Sequence, residues 1–404
     1  MKNLLPTPKQ LEFMDWEFGV FFHFGIRSFF KGHKDWDDRP MPASAFCPDS
    51  LDCGQWIRAA RDAGARYAIL VCKHHDGFAN WPSRYTDYSA AASPYNGDVV
   101  RAFTDACREY GLKAGLYYSP AQWGGSAPFE DARAYDDYFI AQISELLSDY
   151  GRIDYLWFDG CGSDGHEYDR ERIIRAIRAL QPDILLFEMW DPDTRWIGNE
   201  DGYADMDNPN TAGGRFLPAE CDCMLRDTWF DCEDNERAIK SVEELIGMYE
   251  LSVGRGANFL LNIGPNRHGL LNEADERRLR EFGAALKARY GAPVPGFGAM
   301  EDDLSIRTAG YLPEQGNTAE TALVNRLVIE EDMSEGGHVR EFSVWADLPS
   351  YRSQRICVYR GRTIGHKAIC VFPTVRTGRL TVEIVRADGT PRLKAMRAYR
   401  AKQA

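Results

Sequence analysis

The sequence predicts an α/β protein, a TIM-like (β/α) barrel followed by a C-terminal antiparallel β-sandwich. Along the first 296 residues, short apolar runs typical of buried parallel strands alternate with segments of helical period. Polar and aromatic residues gather just after each run, and no GxGxxG or Walker loop occurs. A barrel builds its site from the ends of many strands, whereas a doubly wound sheet uses one switch point, so this pattern favours the barrel.

The hydrophobic periodicity of the sequence predicts the helices and strands of the barrel. Helices precede four consecutive strands, and the first helix is bounded by Asp52 as N-cap and Gly64 as stop. A later helix begins at a capping box formed by Ser241 and Glu244. We expect a long loop over residues 189–240, and loops of that length in a compact domain are usually functional. The predicted barrel strands are 19–25, 67–72, 113–118, 155–160, 183–188 and 258–265.

The pattern changes after a segment rich in Gly and Pro. Short alternating runs separated by turn residues then indicate an antiparallel sandwich. We place the boundary near Gly296, so that the barrel covers residues 1–296 and the sandwich covers residues 297–404. The predicted sandwich strands are 326–330, 340–345, 356–359, 368–372 and 380–385.

Composition narrows the class of partner and the compartment. A formal net charge of -13 argues against nucleic acid or an anionic membrane as partner and favours a neutral or small ligand. The N-terminus has no apolar run of signal-peptide length, and no apolar run is long enough to span a bilayer. As written the chain is therefore expected to be cytoplasmic, although a native leader could have been removed. Cysteines are scattered without a CxxC pair, which favours reduced, packed thiols.

A carboxylate at a strand exit is the first candidate for chemistry. Asp159 follows the apolar run 155–158, and such a placement is costly unless a site uses the charge or a partner satisfies it. Retaining glycoside cleavage needs two carboxyls, and Asp159 suits the nucleophile better than a helix cap or a salt-bridge acid. Glu188, Glu200 and Glu220 compete for the acid/base role, and the residues alone leave the three nearly level.

Histidine and tryptophan supply candidates for ligand binding. His23, His74 and His75 follow predicted strands and could donate to sugar hydroxyls. They could alternatively hold a metal ion, as in a metal-dependent hydrolase, but adjacent histidines point to opposite faces unless the strand has already ended. Trp157 and Trp229 could each face the apolar side of a sugar, with core packing as the alternative.

Taken together and in order, five motifs resemble those of the α-L-fucosidases of glycoside hydrolase family 29. The resemblance covers most of residues 10–295, and the sandwich also looks like the C-terminal domain of that family. The motifs are GVFFHFG at 19–25, KHHDGF at 73–78, GLYYS at 115–119, WFDG at 157–160 and NFLLNIGP at 258–265.

This resemblance implies a retaining, exo-acting hydrolase that uses no metal or other cofactor. It would remove terminal α-linked L-fucose from oligosaccharides or glycoconjugates by double displacement, with Asp159 at the position of the family's nucleophile. Positions that match fucose contacts of the family are His23, His74, His75 and Tyr118 and, less closely, Asp35 and Trp36.

The segment RWIGNE at 195–200 resembles the subgroup that prefers α-1,3/1,4-linked fucose. In that subgroup the Glu of this motif is the proton donor, which implies Glu200 here. Arg195 within the motif, and Arg226 and Trp229 after it, belong to the same resemblance. The chain departs from the subgroup at 227–228, where Asp-Thr stands in place of Pro-Gly. The expected partner is a fucosylated oligosaccharide, with no nucleic acid and no membrane, and a homo-oligomer is compatible. The alternatives are a related retaining glycosidase for another sugar or a non-catalytic carbohydrate-binding protein.

Overall fold

The predicted fold class is confirmed by a computed structural model of the chain. A parallel eight-stranded sheet with helices outside it is followed by two antiparallel sheets. The structure describes residues 4–30, 39–122, 131–162, 165–231, 238–295, 300–303, 306–310, 321–349 and 354–401.

The barrel strands all pair in parallel, in the order β5-β4-β3-β2-β1-β10-β9-β6. A parallel bridge between Phe187 and Thr194 connects β5 to the start of β6 and so closes the ring. The strands are β1 (Phe18–Phe22), β2 (Tyr67–Lys73), β3 (Lys113–Tyr118), β4 (Tyr155–Phe158), β5 (Leu185–Phe187), β6 (Arg195–Trp196), β9 (Ala219–Met224) and β10 (Ala257–Ile263), with a separate hairpin of β7 (Thr211–Ala212) and β8 (Arg215–Phe216).

Helices cover the outside of this sheet and begin at side-chain caps. The Asp52 carboxylate accepts from the backbone N–H of Gln55 at 2.9 Å, and Ser241 and Glu244 form the expected capping box. A first helix that the periodicity did not indicate begins at Pro8, after a capping box of Thr7. The helices are α1 (Pro8–Trp16), α2 (Cys53–Asp62), α3 (Val99–Tyr110), α4 (Ala132–Asp149), α5 (Arg170–Leu180), α6 (Val242–Ser252) and α7 (Glu273–Tyr290).

The barrel interior is packed with aromatic rings below the site. Alternation along β1 sends Phe22 outward against Trp56 and Phe21 inward against Trp157, with ring centroids 5.5 and 5.4 Å apart. Trp157 also stacks on Phe187 at 4.1 Å. This filling occupies the barrel below the carboxyl ends of the strands.

The prediction of a loop over residues 189–240 is wrong in part, because this segment contains β6 and β9. β9 places Glu220 and Asp222 on its inward face, where apolar side chains would be expected. Glu220 and Asp222 interrupt the apolar run that is typical of a buried parallel strand. The sequence of this segment therefore does not predict a strand.

The sandwich packs on the barrel away from the strand exits. Ile369 N–H donates to Gly254 O at 3.0 Å, and Arg326 Nε donates to Glu250 at 3.0 Å, both next to the residues that lead into β10. Its sheets have the orders β11-β12-β17-β14-β15 and β16-β13-β18. The strands are β11 (Met300–Asp303), β12 (Ile306–Gly310), β13 (Ala322–Glu331), β14 (Val339–Asp347), β15 (Arg355–Gly361), β16 (Ala368–Thr377), β17 (Arg379–Ala387) and β18 (Leu393–Tyr399).

The predicted domain boundary at Gly296 lies outside the described residues and stays a prediction. α7 ends at Tyr290 and β11 begins at Met300, on either side of it. Within the described ranges, no helix combines the length and apolarity that a bilayer crossing requires.

Candidate active site

The histidine candidates and Asp159 meet at one end of the barrel. His23 follows β1, His74 and His75 follow β2, and Asp159 follows β4, so parallel pairing brings them to the same edge. The rings of His23 and His74 lie 5.8 Å apart, and His75 Nε2 is 3.5 Å from Asp159 Oδ2. The expectation that His74 and His75 point to opposite faces does not apply, because β2 ends at Lys73.

Two donors fix the Asp159 carboxyl. The hydroxyl of Tyr117 donates to Oδ2 at 2.7 Å, and the backbone N–H of Cys161 donates to Oδ1 at 2.8 Å. Burial raises the pKa of Asp159 above its ordinary value, while these two hydrogen bonds act in the opposite direction. The carboxyl is thus oriented through both oxygens and poorly solvated, which suits a nucleophile.

The three histidines are neutral near pH 7. Burial lowers the pKa of His23 and of His75 to about 3, and it lowers the pKa of His74 well below its ordinary value. Nearby Arg27 adds to each effect. Asn262 donates to the carbonyl of Trp229 at 2.8 Å, so its Oδ1 faces His23 Nδ1 at 2.7 Å and accepts from it. His23 therefore keeps Nε2 as an acceptor.

A buried lysine holds the segment beside His75. Lys73 Nζ donates to the carbonyls of Ser119 and Ala121 at 2.8 and 3.3 Å, and Ser119 Oγ lies 2.5 Å from His75 Nδ1. Burial lowers the pKa of Lys73 to about 7. Lys73 thus fixes the turn after β3 that positions the imidazole of His75.

Glu200 reaches the same cavity from the loop after β6. Its carboxyl accepts a hydrogen bond from Trp229, whose ring packs on His23 at 4.9 Å. Burial raises the pKa of Glu200, and the charge of Asp159 raises it further. The loop is joined to β9 on both sides, because Ile197 N–H donates to Glu220 O and Asp201 forms a bridge with Cys223.

A further buried acid, which the sequence did not suggest, lies next to Glu200. Asp222 Oδ1 accepts from Trp196 Nε1 at 2.7 Å. Burial raises the pKa of Asp222 to about 7, and the charges of Glu200 and Asp159 contribute to the increase. Its position two residues after Glu220 on β9 places both side chains on the inward face, which only a correct strand assignment would have revealed.

The other two glutamates lie in different environments. Glu220 is fully buried inside the barrel, where it accepts from Tyr67 at 2.6 Å and from Trp157 Nε1 at 3.0 Å, and burial raises its pKa to about 7. Glu188 is exposed, as Glu200 is, but its Oε2 accepts from the backbone N–H of Trp196 at 2.7 Å. The charge of Asp159 is among the causes that raise the pKa of Glu200, which connects Glu200 to Asp159.

Tyr118 is not placed at the site. Its side chain points outward from β3, and its hydroxyl donates to Gln142 on α4 at 2.6 Å, whereas the preceding residue, Tyr117, faces Asp159. Successive strand residues point to opposite faces, so of the two tyrosines only Tyr117 can enter the barrel. The structure therefore places Tyr117, and not Tyr118 as the resemblance implied, beside Asp159.

Other predicted residues also lie away from the cavity. Arg195 points outward and donates to Asn208 and to Pro209 O, and Arg226 forms a buried ion pair with Asp275 at 2.9 Å. Trp157 lies lower in the barrel, as part of the aromatic filling. Asp35 and Trp36 lie outside the described residues.

His74, His75 and Asp159 are also the residues that could bind a metal ion. One potential ligand atom from each lies within 4.8 Å of the other two. Both Asp159 oxygens already accept hydrogen bonds. The donors and acceptors of the cavity therefore suit a polyhydroxylated ligand better than a metal ion.

Comparisons with known proteins point to one family. The sequence model of the family described as alpha-L-fucosidase matches residues 2–291. The chain is 36% identical to alpha-L-fucosidase 1 of Arabidopsis thaliana, over 95% of this chain and 85% of that protein. The crystal structure of a putative alpha-L-fucosidase from Bacteroides ovatus superposes with a TM-score of 0.90 at 30% identity, over 99% of this chain and 75% of that one. A glycoside hydrolase 29 family member from an unknown rumen bacterium gives a TM-score of 0.91 at 29% identity, over 100% and 78% of the two chains.

Proposed function

This chain belongs to the α-L-fucosidases of glycoside hydrolase family 29, and from that premise we propose that it cleaves α-1,3- or α-1,4-linked L-fucose with retention of configuration. The observation that carries the proposal is the pairing of Asp159 with Glu200. Asp159 is partly buried and Glu200 is exposed, each accepts a hydrogen bond from a named donor, and the charge of Asp159 raises the pKa of Glu200.

The pairing supports a double displacement. Asp159 Oδ would attack the anomeric carbon of fucose while Glu200 donates its proton to the leaving oxygen, giving a fucosyl ester and a free alcohol. Glu200, now a carboxylate, would remove a proton from water as that water attacks the ester. A raised pKa suits Glu200 for the first step, because the group must be protonated before it can donate.

The neutral histidines support recognition of a sugar. His23 offers Nε2 as an acceptor, and His74 Nδ1 is buried without a hydrogen-bond partner among the described residues. A buried polar atom in that state is costly, and a ligand hydroxyl would satisfy it. Trp229, which packs on His23, would cover an apolar face of the ring.

Retention and linkage can be tested separately. Proton NMR of a running hydrolysis should show the α-anomer of fucose first, and a 2-deoxy-2-fluoro-fucosyl donor should leave its label on the peptide that contains Asp159. Initial release of the β-anomer would contradict retention. For linkage, the segment 195–200 supports faster hydrolysis of Lewis-type trisaccharides than of an α-1,2-linked fucoside, and the opposite preference would contradict it.

A further inference from the structure

The loop that carries Glu200 begins and ends at two residues that contact each other. It runs through residues 197–207, which form neither a helix nor a strand. At its start on β6, Arg195 donates from Nη2 to Asn208 Oδ1, at the end of the loop, and to Pro209 O at 3.3 Å. A loop without regular backbone pairing depends on contacts of this kind for its position. The contact between Arg195 and Asn208 therefore closes the loop at its base.

Asn208 also connects the loop to a second arginine. Its Nδ2 donates to the backbone carbonyl of Arg255 at 2.9 Å, in the short segment between α6 and β10. The guanidinium of Arg255 donates in turn to Ala204 O, inside the loop. Arg195, Asn208 and Arg255 thus form a loop clasp, which ties two points of the loop to the barrel.

The Asn208 amide has one orientation that satisfies both of its partners. A guanidinium only donates and a backbone carbonyl only accepts, so Oδ1 faces Arg195 and Nδ2 faces Arg255. Asn208 is 3% exposed, and removing a buried partner leaves the other group unsatisfied, which costs more than the bond itself contributes. Arg195 is only partly buried, so its replacement disturbs folding less.

The clasp supports the backbone that carries Glu200. Asp201 pairs with Cys223 on β9 through a single bridge, and a Cβ at Gly202 would lie 3.1 Å from Cys223 Sγ, so this backbone fits closely on the strand. One bridge is a weak attachment for a loop. Ala204 follows two residues later, and the clasp holds it in place. The position of the Glu200 backbone therefore depends on the clasp.

We propose that Arg195 and Asn208 are positioning residues for proton donation by Glu200. They hold the loop at the place from which the Glu200 carboxyl reaches the leaving oxygen. The assignment rests on the proposed function, in which Glu200 is the acid/base, and it gives Arg195 a role other than contact with the sugar. A displacement of about 1 Å, caused by a change far from the reacting atoms, can lower a rate about 100-fold.

The test compares kcat/KM on 4-methoxyphenyl and 2,4-dinitrophenyl α-L-fucosides, a poor and a good leaving group. A poor leaving group requires the proton of Glu200, whereas a good one departs without it. In Arg195→Met and in Asn208→Ala the ratio of poor to good substrate should fall by about tenfold or more. A loss of folded protein alone would lower both values equally.

Arg178→Met is the matched control. Arg178 is also partly buried, and its Nη2 donates to Asp193 at 2.8 Å on the segment that leads into β6, outside the loop of Glu200. The ratio of the two substrates should therefore stay at the wild-type value in this variant. An equal fall in Arg178→Met and Arg195→Met would overturn the specific role of the clasp.

Hydrogen exchange separates this inference from the proposed function, because it requires no turnover. Peptides that cover residues 197–208 should exchange faster in Arg195→Met than in the wild type. Unchanged exchange in both clasp variants would overturn the assignment, as would an unchanged substrate ratio in them while Glu200→Ala lowers that ratio. An unchanged ratio in Glu200→Ala would instead contradict the proposed function, and faster exchange would still show that the clasp holds the loop.

Discussion

The hydroxyl of Tyr117 donates to Asp159 Oδ2 at 2.7 Å, and the ring of Tyr117 stacks on Trp157, with centroids 5.4 Å apart and planes 23° from parallel. Burial raises the pKa of Tyr117 well above its ordinary value, so the phenol stays protonated and acts only as a donor. Trp157 in turn donates to Glu220 at 3.0 Å. A chain of contacts thus runs from the barrel core to the proposed nucleophile and fixes where its carboxyl points.

Removing this donor should impair the proposed reaction more than stability. A hydrogen bond to a charged group contributes about 1.5–3 kcal/mol, so Tyr117→Phe should lower kcat/KM about 10- to 100-fold on an aryl fucoside. Tyr118→Phe is the matched control, because it removes a hydroxyl that bonds Gln142 outside the barrel. Equal losses of activity in the two variants would show that any change on β3 lowers activity, and that the hydrogen bond to Asp159 has no specific role.

The two proposed catalytic carboxyls should respond differently to removal. Asp159→Asn should lower turnover by several orders of magnitude without loss of thermal stability, because no remaining group can form the ester. Glu200→Ala should keep activity on an aryl fucoside with a good leaving group, and azide should raise its turnover by attacking the ester without base catalysis. Azide rescue in Glu188→Ala but not in Glu200→Ala would transfer the acid/base role to Glu188.

The buried Glu220 should make stability depend on pH. Its pKa rises from 4.5 to about 7 on folding, so the folded state holds a proton that the unfolded state has released at intermediate pH. The contribution of this group to stability is therefore complete below pH 4.5 and is lost as pH rises toward 7, by about 3 kcal/mol. In Glu220→Gln, urea unfolding should show a shallower decrease over that window. Parallel pH profiles of the two proteins would contradict the raised pKa.

The fold could be predicted from the sequence because most of its helices and strands show a local hydrophobic periodicity. Apolar runs and helix caps are local signals, and the signals at Asp52 and Ser241 placed α2 and α6 closely. β9 was missed because its buried acids Glu220 and Asp222 have partners from distant strands, which no local pattern encodes. Tertiary hydrogen bonds made these acids tolerable inside a strand.

The site was accessible in part, since strand exits could be identified but side-chain directions could not. His23 and Asp159 follow their strands directly, so their location depended only on where each strand ended. The choice between Tyr117 and Tyr118 required the register of β3 relative to the barrel interior. That register is set by Gly115 and Leu116 pairing with β2 and β4, a nonlocal property.

Asp222 should control the pH range in which Glu200 can donate its proton. Asp222 is buried, and the charge of the exposed Glu200 contributes to the raised pKa of Asp222. Such coupled acids titrate as a pair, so whenever Asp222 is the ionised member, its charge holds the remaining proton on Glu200 more tightly. In Asp222→Asn the pKa of Glu200 should fall, and the alkaline limb of the kcat/KM profile on an aryl fucoside should move to lower pH.

Asp222→Asn keeps the size of the side chain and an oxygen that can accept from Trp196, so the loop that carries Glu200 should stay in place. Glu220→Gln is the control for this profile, because that acid lies deeper in the barrel and Asp222, not Glu200, is the charge that contributes to its pKa. A uniform loss of activity in Asp222→Asn, with both limbs unmoved, would mean that Asp222 acts through packing of Trp196 alone. A shifted alkaline limb would show that its charge sets the proton affinity of the acid.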